Sequence, residues 1–261
     1  MQFLWSNFGV QKYRYWCIIK QTFVLSKLGR NGVNTLTLSS VDEKFLYDTL
    51  SFWKDLTDSQ KDTLRQMIVK KTFVTGEAMH SGSDNCSGLF LLSSGQVRAY
   101  IISETGKEIT LYRLFERDVC IFSASCIMKN ISFDIFVEVE KDTNVYLIPT
   151  SVFRKLSQES LPIQVFTNNL MASRFSDVMW IMEQALFTSL DKRLANFLLE
   201  QLVISEGSTL EITHEKIANH LGTAREVVTR MLKYFQNEGI VALNRGTIDV
   251  LDEKKLSKLV Q

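Results

Sequence analysis

The 261-residue sequence predicts an α+β chain with three folded parts: an antiparallel β-roll, one long helix and a winged helix-turn-helix. Three observations predict it. Short apolar runs broken by turn residues succeed one another from Phe73 to Ile148. An unbroken helical pattern runs from Leu161 to about Phe187. Thr213 to Gly239 then reads as two short helices about a tight glycine turn, with a hairpin pattern behind them. The predicted boundaries are an extension over residues 1–40, the roll over 41–160, the long helix over 161–187 and the winged helix-turn-helix over 188–261.

The first 40 residues do not resemble the rest of the chain. Aromatic, basic and glycine residues mix there without a period, and Lys12, Arg14, Lys20, Lys27 and Arg30 face no acid before Asp42. The whole chain is +1, so the remainder is net acidic. Lys20 interrupts the best apolar run, Trp16 to Leu25, which is too short to span a bilayer and lacks the layout of a secretory signal. A basic amphipathic anchor is the weaker alternative. The segment reads as an addition to the domain, with Val41 an alternative start.

The roll comes next. From Val41 to Met67, Leu46, Leu50, Trp53, Leu56 and Leu64 punctuate polar helical sequence, and Thr57 with Gln60 forms a capping box. Strands are predicted over Leu89–Leu92, Gln96–Ile102, Glu108–Leu114, Phe133–Glu140 and Asn144–Ile148. Ser93-Ser-Gly95, Glu104-Thr-Gly106 and Glu116-Arg-Asp118 supply turns between runs.

The long helix begins at Leu161-Pro162, proline being welcome in a first turn. Met171, Phe175, Val178, Met182 and Ala185 step 4, 3, 4, 3, the spacing of a seam to a second copy of the helix. The alternative is that this stripe packs on its own roll. Met179, Trp180 and Leu186 make a second apolar face, and the assignment preferred here gives the seam to a partner and that second face to the roll.

In the last part, Thr213 caps a short helix whose Ile217 and Leu221 face inward while small Ala218 admits a neighbour. Gly222 stands where the chain must turn sharply, and glycine tolerates the positive φ such a turn needs. Thr223 to Glu226 reads as a capping box, and Val227, Val228, Met231 and Phe235 as the buried side of the second helix. Ala218, Gly222 and Val228 together make the helix-turn-helix pattern. A plain helical hairpin is the alternative. The flanks favour a winged motif: a strand at Leu210–Ile212, then Ile240–Leu243 and Thr247–Leu251 about Asn244-Arg-Gly246. Arg225 and Arg230 are the candidate donors to guanine O6 and N7, and Glu226 the acceptor from a cytosine amino group. Thr213, Thr223, Thr229, Lys233 and Arg245 are candidate phosphate contacts. His214 and His220 read as surface or phosphate-facing residues.

Enzyme readings fare badly. The chain has no P-loop, no G-x-G-x-x-G, no G-x-S-x-G and no H-E-x-x-H. Glu138 and Glu140 lie on one side of an alternating strand and read as a solvated face.

The string from Leu89 to Cys120, LFLLSSGQVRAYIISETGKEITLYRLFERDVC, resembles the roll of the CRP/FNR family of bacterial transcription regulators. The Arg-Glu-x-x-x-Arg of Arg225, Glu226 and Arg230 resembles that family's recognition helix. The likeness runs from about Phe52 to Leu251 with order and spacing preserved. It implies a cyclic-nucleotide-binding-like jelly roll, and a cytoplasmic homodimer on an inverted repeat of double-stranded DNA. It also implies an effector in the roll that repositions the DNA-binding domains, with RNA polymerase as partner if the protein activates. Cyclic AMP fits poorly. The family's cAMP-binding members hold the phosphate with Gly-Glu and Arg-Ser, and Asp118 to Phe136 here contains neither Gly-Glu nor arginine. The hydroxyls expected on the long helix fall at Val178 and Met179. An iron–sulfur centre fits poorly too, because Cys17 stands alone where oxygen-sensing members carry a cysteine cluster. Cys86, Cys120 and Cys126 are scattered; redox or metal sensing is one reading, and small buried hydrophobes the favoured one. The histidines and cysteines form no metal motif, and the sequence names no cofactor. Two other functions stay open: a ligand-binding module whose C-terminal domain serves protein contacts, and a constitutive DNA binder.

Overall fold

The computed structural model describes residues 38–81, 87–121 and 134–260. Residues 1–37 of the N-terminal extension, with Cys17, and Cys86 and Cys126 therefore lie outside the described residues.

Helix α1 (Ser40–Thr49) starts from a capping box in which Ser39 and Asp42 satisfy each other's backbone. Asp42 is buried, and burial alone would raise its carboxyl pKa. Lys70 Nζ at 2.7 Å, the Tyr146 hydroxyl at 2.6 Å and Ser39 instead hold it well below the carboxylate range. This bolts α1 onto the sheet, and it uses residues ahead of Val41. Helix α2 (Asp58–Met67) has the expected Thr57–Gln60 box, with bonds of 3.0 and 3.3 Å.

The roll is a sheet of six strands: β1 (Val69–Phe73), β2 (Ala78–Ser81), β3 (Gly88–Ile102), β4 (Glu108–Leu114), β5 (Val119–Cys120) and β6 (Phe136–Pro149). The main path is β1-β6-β3-β4, all antiparallel, with β2 on β6 and β5 on β3. The pattern at Ser93-Ser-Gly95 predicts the end of a strand, yet β3 continues through it for 15 residues. The pairing with β6 slips at this point, so the strand bends in place of turning back. Gly95 permits it. Its φ is +94°, and a Cβ there would stand 2.4 Å from the carbonyl oxygen of Asp142. The two runs after Phe133 likewise form one strand, β6.

Inside the roll, Phe90, Leu92, Val97, Leu111, Leu114, Val137 and Val145 form one cluster. Cys120 is fully buried in it, as the bland reading of that cysteine requires. A second cluster joins α1, α2 and α3 (Thr150–Glu159) to the other side of the sheet.

Helix α4 (Leu161–Phe187) has the predicted bounds, but its faces differ from those its spacing suggested. Met171 and Val178 pack against the roll, with Ile163, Phe166 and Leu170. Phe175, Met182 and Ala185 are exposed, and so are Met179, Trp180 and Leu186, the face expected to meet the roll. The exposed stripe is Val165, Ala172, Phe175, Met179, Met182 and Leu186. Both stripes obey helical spacing, so spacing alone could not rank them.

Thr188 and Ser189, both extended, connect α4 to α5 (Leu190–Ser205). The last part continues with β7 (Thr209–Leu210), α6 (His214–Leu221), α7 (Arg225–Asn237), β8 (Val241–Asn244), β9 (Thr247–Val250) and α8 (Glu253–Val260). Its sheet order is β7-β9-β8, and its core is Leu194, Leu198, Ile217, Val228, Leu232, Phe235 and Ile248 with their neighbours. Helix α8, which docks through buried Leu256, is not among the elements the sequence predicts. No described helix is long and apolar enough to cross a membrane.

Candidate nucleic-acid interface

Helices α6 and α7 meet as a helix-turn-helix. The Thr213 hydroxyl accepts from Lys216 N and caps α6. Gly222 ends the helix with φ +65°, and Thr223 N donates back to the Ala218 carbonyl. That bond draws Thr223 into the turn, so α7 begins at Arg225 with Ala224 as its cap and no side-chain capping bond. The predicted Thr223–Glu226 capping box is absent. Glu226 is left in the first turn, favourable to the helix dipole and uncommitted.

Buried Val228, Leu232 and Phe235 hold α7 by its inner side. The outer side brings Arg225, Glu226, Thr229, Arg230 and Lys233 together around one shallow groove. Arg225, Glu226, Arg230 and Lys233 are exposed, as is Arg245 at the tip of the wing. None of these five enters an ion pair of 4 Å or less among the described residues. Three cations and a carboxylate on one helix face, unspent within the fold, suit a polyanion with readable donors and acceptors.

Thr229 differs from the other predicted phosphate contacts. Its hydroxyl donates to the Arg225 carbonyl at 2.9 Å and meets His214 Nδ1 at 2.9 Å. One proton serves one acceptor, so this hydroxyl has none for a phosphate while that bond stands. His214 then donates from Nδ1, tying α6 to the start of α7. Burial, then the nearby Arg225, lower the His214 pKa.

The other histidine departs furthest from expectation. His220 is no surface residue: its side chain is 7% exposed, facing the roll. Thr110 Oγ1 accepts from Arg98 Nε at 2.8 Å and lies 2.7 Å from His220 Nδ1. Arg113, 5% exposed, places Nη2 3.2 and 3.3 Å from the two ring nitrogens. Its Nε donates to Glu140 Oε2 at 2.7 Å, and the same Nη2 also reaches Glu140 Oε1 at 3.3 Å. Phe197 of α5 closes the second side of the imidazole, ring centroids 5.2 Å apart. Burial first, then Arg113, Arg98 and Lys216, push the His220 pKa down to about 2. Glu138 and Glu140, predicted as solvated charge, belong to this junction: Arg98 Nη1 lies 3.7 Å from Glu138, whose pKa burial raises. Beside it a cavity of about 390 Å³ opens between Tyr112, Trp180, Gln184, Arg193 and Asn196. Within the described residues no cluster of three or more His, Cys, Asp or Glu could hold a metal.

A β-roll joined by a long helix to a winged helix-turn-helix with an exposed charged face defines a DNA-binding transcription regulator. Comparison with known proteins gives the class its family. Residues 192–259 match the Crp-like helix-turn-helix domain. A solved structure from Eubacterium rectale, described as a transcriptional regulator of the Crp/Fnr family, is 49% identical and superposes with a TM-score of 0.80. The match covers 82% of this chain and 99% of that one. Electron transport regulator A of Shewanella oneidensis is 28% identical over 216 residues, 78% of this chain and 84% of its own. The fumarate and nitrate reduction regulatory protein of Vibrio cholerae is 27% identical over 213 residues, again 78% and 84%. The chain belongs to the CRP/FNR family of transcription regulators.

Proposed function

We propose that this protein binds an inverted repeat in double-stranded DNA as a homodimer. The face formed by Arg225, Glu226, Arg230 and Lys233 carries this reading, because its charges are exposed and enter no ion pair among the described residues. Two such helices would enter successive major grooves about 34 Å apart. Arg225 and Arg230 take guanine edges and Glu226 a cytosine amino group. Lys233, Arg245, Thr213 and Thr223 take phosphates. Selection of duplexes from random DNA tests this: an enriched palindrome is the expected outcome. Recovery of no sequence, or of single unpaired half-sites, would remove it and favour a C-terminal domain that serves protein contacts.

The dimer is supported by the exposed stripe Val165, Ala172, Phe175, Met179, Met182 and Leu186, whose members stand 3 or 4 residues apart after one wider step. Phe175 at 66% and Leu186 at 64% exposure are too apolar to be left in water over several turns. Met182→Glu should give monomers in sedimentation at micromolar concentration, while Met171→Glu, facing the roll, should lower stability instead. An effector other than cyclic AMP in the roll, and RNA polymerase as partner in an activator, complete the reading. Native mass spectrometry of protein purified without oxygen tests the effector.

A further inference from the structure

The DNA-binding part reaches α4 through two extended residues, Thr188 and Ser189. Such a link fixes no angle. The angle is fixed elsewhere, where α6 lies against β4. Ile109 and Leu221 form an antiparallel bridge between the two parts. Ile109 also sits under the turn of the helix-turn-helix: a Cβ added at Gly222 would stand 3.2 Å from its side chain. From the far side, Arg193 donates to the Leu221 carbonyl. Around this apolar centre runs the Thr110–His220–Arg113–Glu140 chain, and Arg113 reaches on to Glu200 of α5 at 3.5 Å.

We propose that Arg113, Glu140, Thr110 and His220 are positioning residues for DNA reading: docked on β4, they hold the helix-turn-helix at the angle that fits the operator, and undocking lets it swing and lose that site. The inference rests on the proposed DNA-reading role of α7. Two features favour a supporting role over a blocking one. The dock occupies the end of α6 and the turn, whereas the reading face of α7 stays exposed and none of its charges is consumed. A buried, hydrogen-bonded network also has one geometry, which suits a part that must hold a fixed spacing in a dimer.

The dock admits only a neutral imidazole. His220 faces Arg113 from β4, Arg98 from β3 and Lys216 from its own helix. Glu140 of β6 lies 3.7 Å from Nε2 but is already gripped by Arg113. Glu108 and Glu138 serve Arg98, and Glu200 of α5 faces Arg113. Undocked, the ring would titrate near its ordinary 6.5; docked, it stays neutral down to about 2. Protons therefore bind the undocked form preferentially. Below pH 6.5 docking should weaken by about tenfold per pH unit, and above it this contribution is constant.

The test uses the full chain and a duplex selected by the wild type. Arg113→Gln should raise Kd at least about tenfold and speed hydrogen exchange in 108–114 and 214–222, with exchange in the rest of the roll unchanged. Thr110→Val should do the same more weakly, and stands in if the first variant fails to fold. A disulfide between Ile109→Cys and Leu221→Cys should restore affinity to Arg113→Gln within about threefold and be reversed by reductant. The same disulfide should flatten the acid limb of the wild-type pH profile; His214, the other histidine near the DNA face, titrates in both proteins and cancels. Faster exchange with unchanged or tighter DNA binding overturns the proposal. So do unchanged exchange, failure of the disulfide to rescue, or identical pH profiles with and without it. If the wild type selects no duplex, the DNA-reading role has failed, and exchange still shows whether these residues hold the dock.

Discussion

Two charged clusters flank the helix-turn-helix, one on its own helix α7 and one at its junction with the roll, and they use similar residues in opposite ways. On α7, Arg225, Glu226, Arg230 and Lys233 are exposed and enter no ion pair among the described residues. At the roll, Arg98, Arg113, Glu140 and His220 are withdrawn from water and every one has a partner at hydrogen-bond distance. The difference teaches where each kind of loss falls. Removing an exposed charge changes what binds. Removing a buried one leaves its partner desolvated and uncompensated.

The largest expected effect is at the buried cluster. Arg113→Leu leaves Glu140 without its cation, with Gln96 Nε2 at 2.6 Å as a remaining donor, and should lower stability by about 3 kcal/mol, measured by urea unfolding. A loss below about 1 kcal/mol would show that water reaches the junction and that the contrast is overdrawn. Arg230→Ala should leave stability within about 0.5 kcal/mol of wild type. It should weaken operator binding by about 1–3 kcal/mol and relax preference at one guanine. Equal losses on every sequence would move Arg230 to a phosphate. Lys233→Ala should weaken all duplexes alike and lower the slope of log affinity against log salt by about 1. Thr229→Val is the finest test. Its hydroxyl is engaged by Arg225 and His214, so the salt slope should not change, and affinity should fall by less than about threefold as α6 and α7 loosen. A slope reduced by a full unit would return Thr229 to the phosphates.

Much of this fold is legible in local pattern. The turn at Gly222, the Thr57 box, the wing and the bounds of the long helix each depend on neighbours in sequence. The exposed face of α7 is legible for the same reason, since the helical repeat puts Arg225, Glu226, Thr229, Arg230 and Lys233 on one side. What stays hidden depends on partners far along the chain. His220 meets Thr110 and Arg113 across more than a hundred residues, and nothing beside His220 announces them. Glu138 and Glu140 alternate as a solvated strand face would, because alternation reports the face and not what covers it. On α4 two stripes of equal spacing compete, and which one the roll covers is set by contacts with Met171 and Val178 that spacing does not carry. The Thr223–Glu226 box fails for a smaller reason: the turn consumes one residue more than the pattern allows.

The contact of Ile109 beneath Gly222 has a consequence for genetics. A screen for loss of repression or activation would return substitutions at Ile109 or Thr110, in a strand of the roll. By their address these would be scored as defects in signal sensing. Their effect would travel through the turn of the reading motif, and no added signal molecule would suppress them, whereas a compensating change on α6 would.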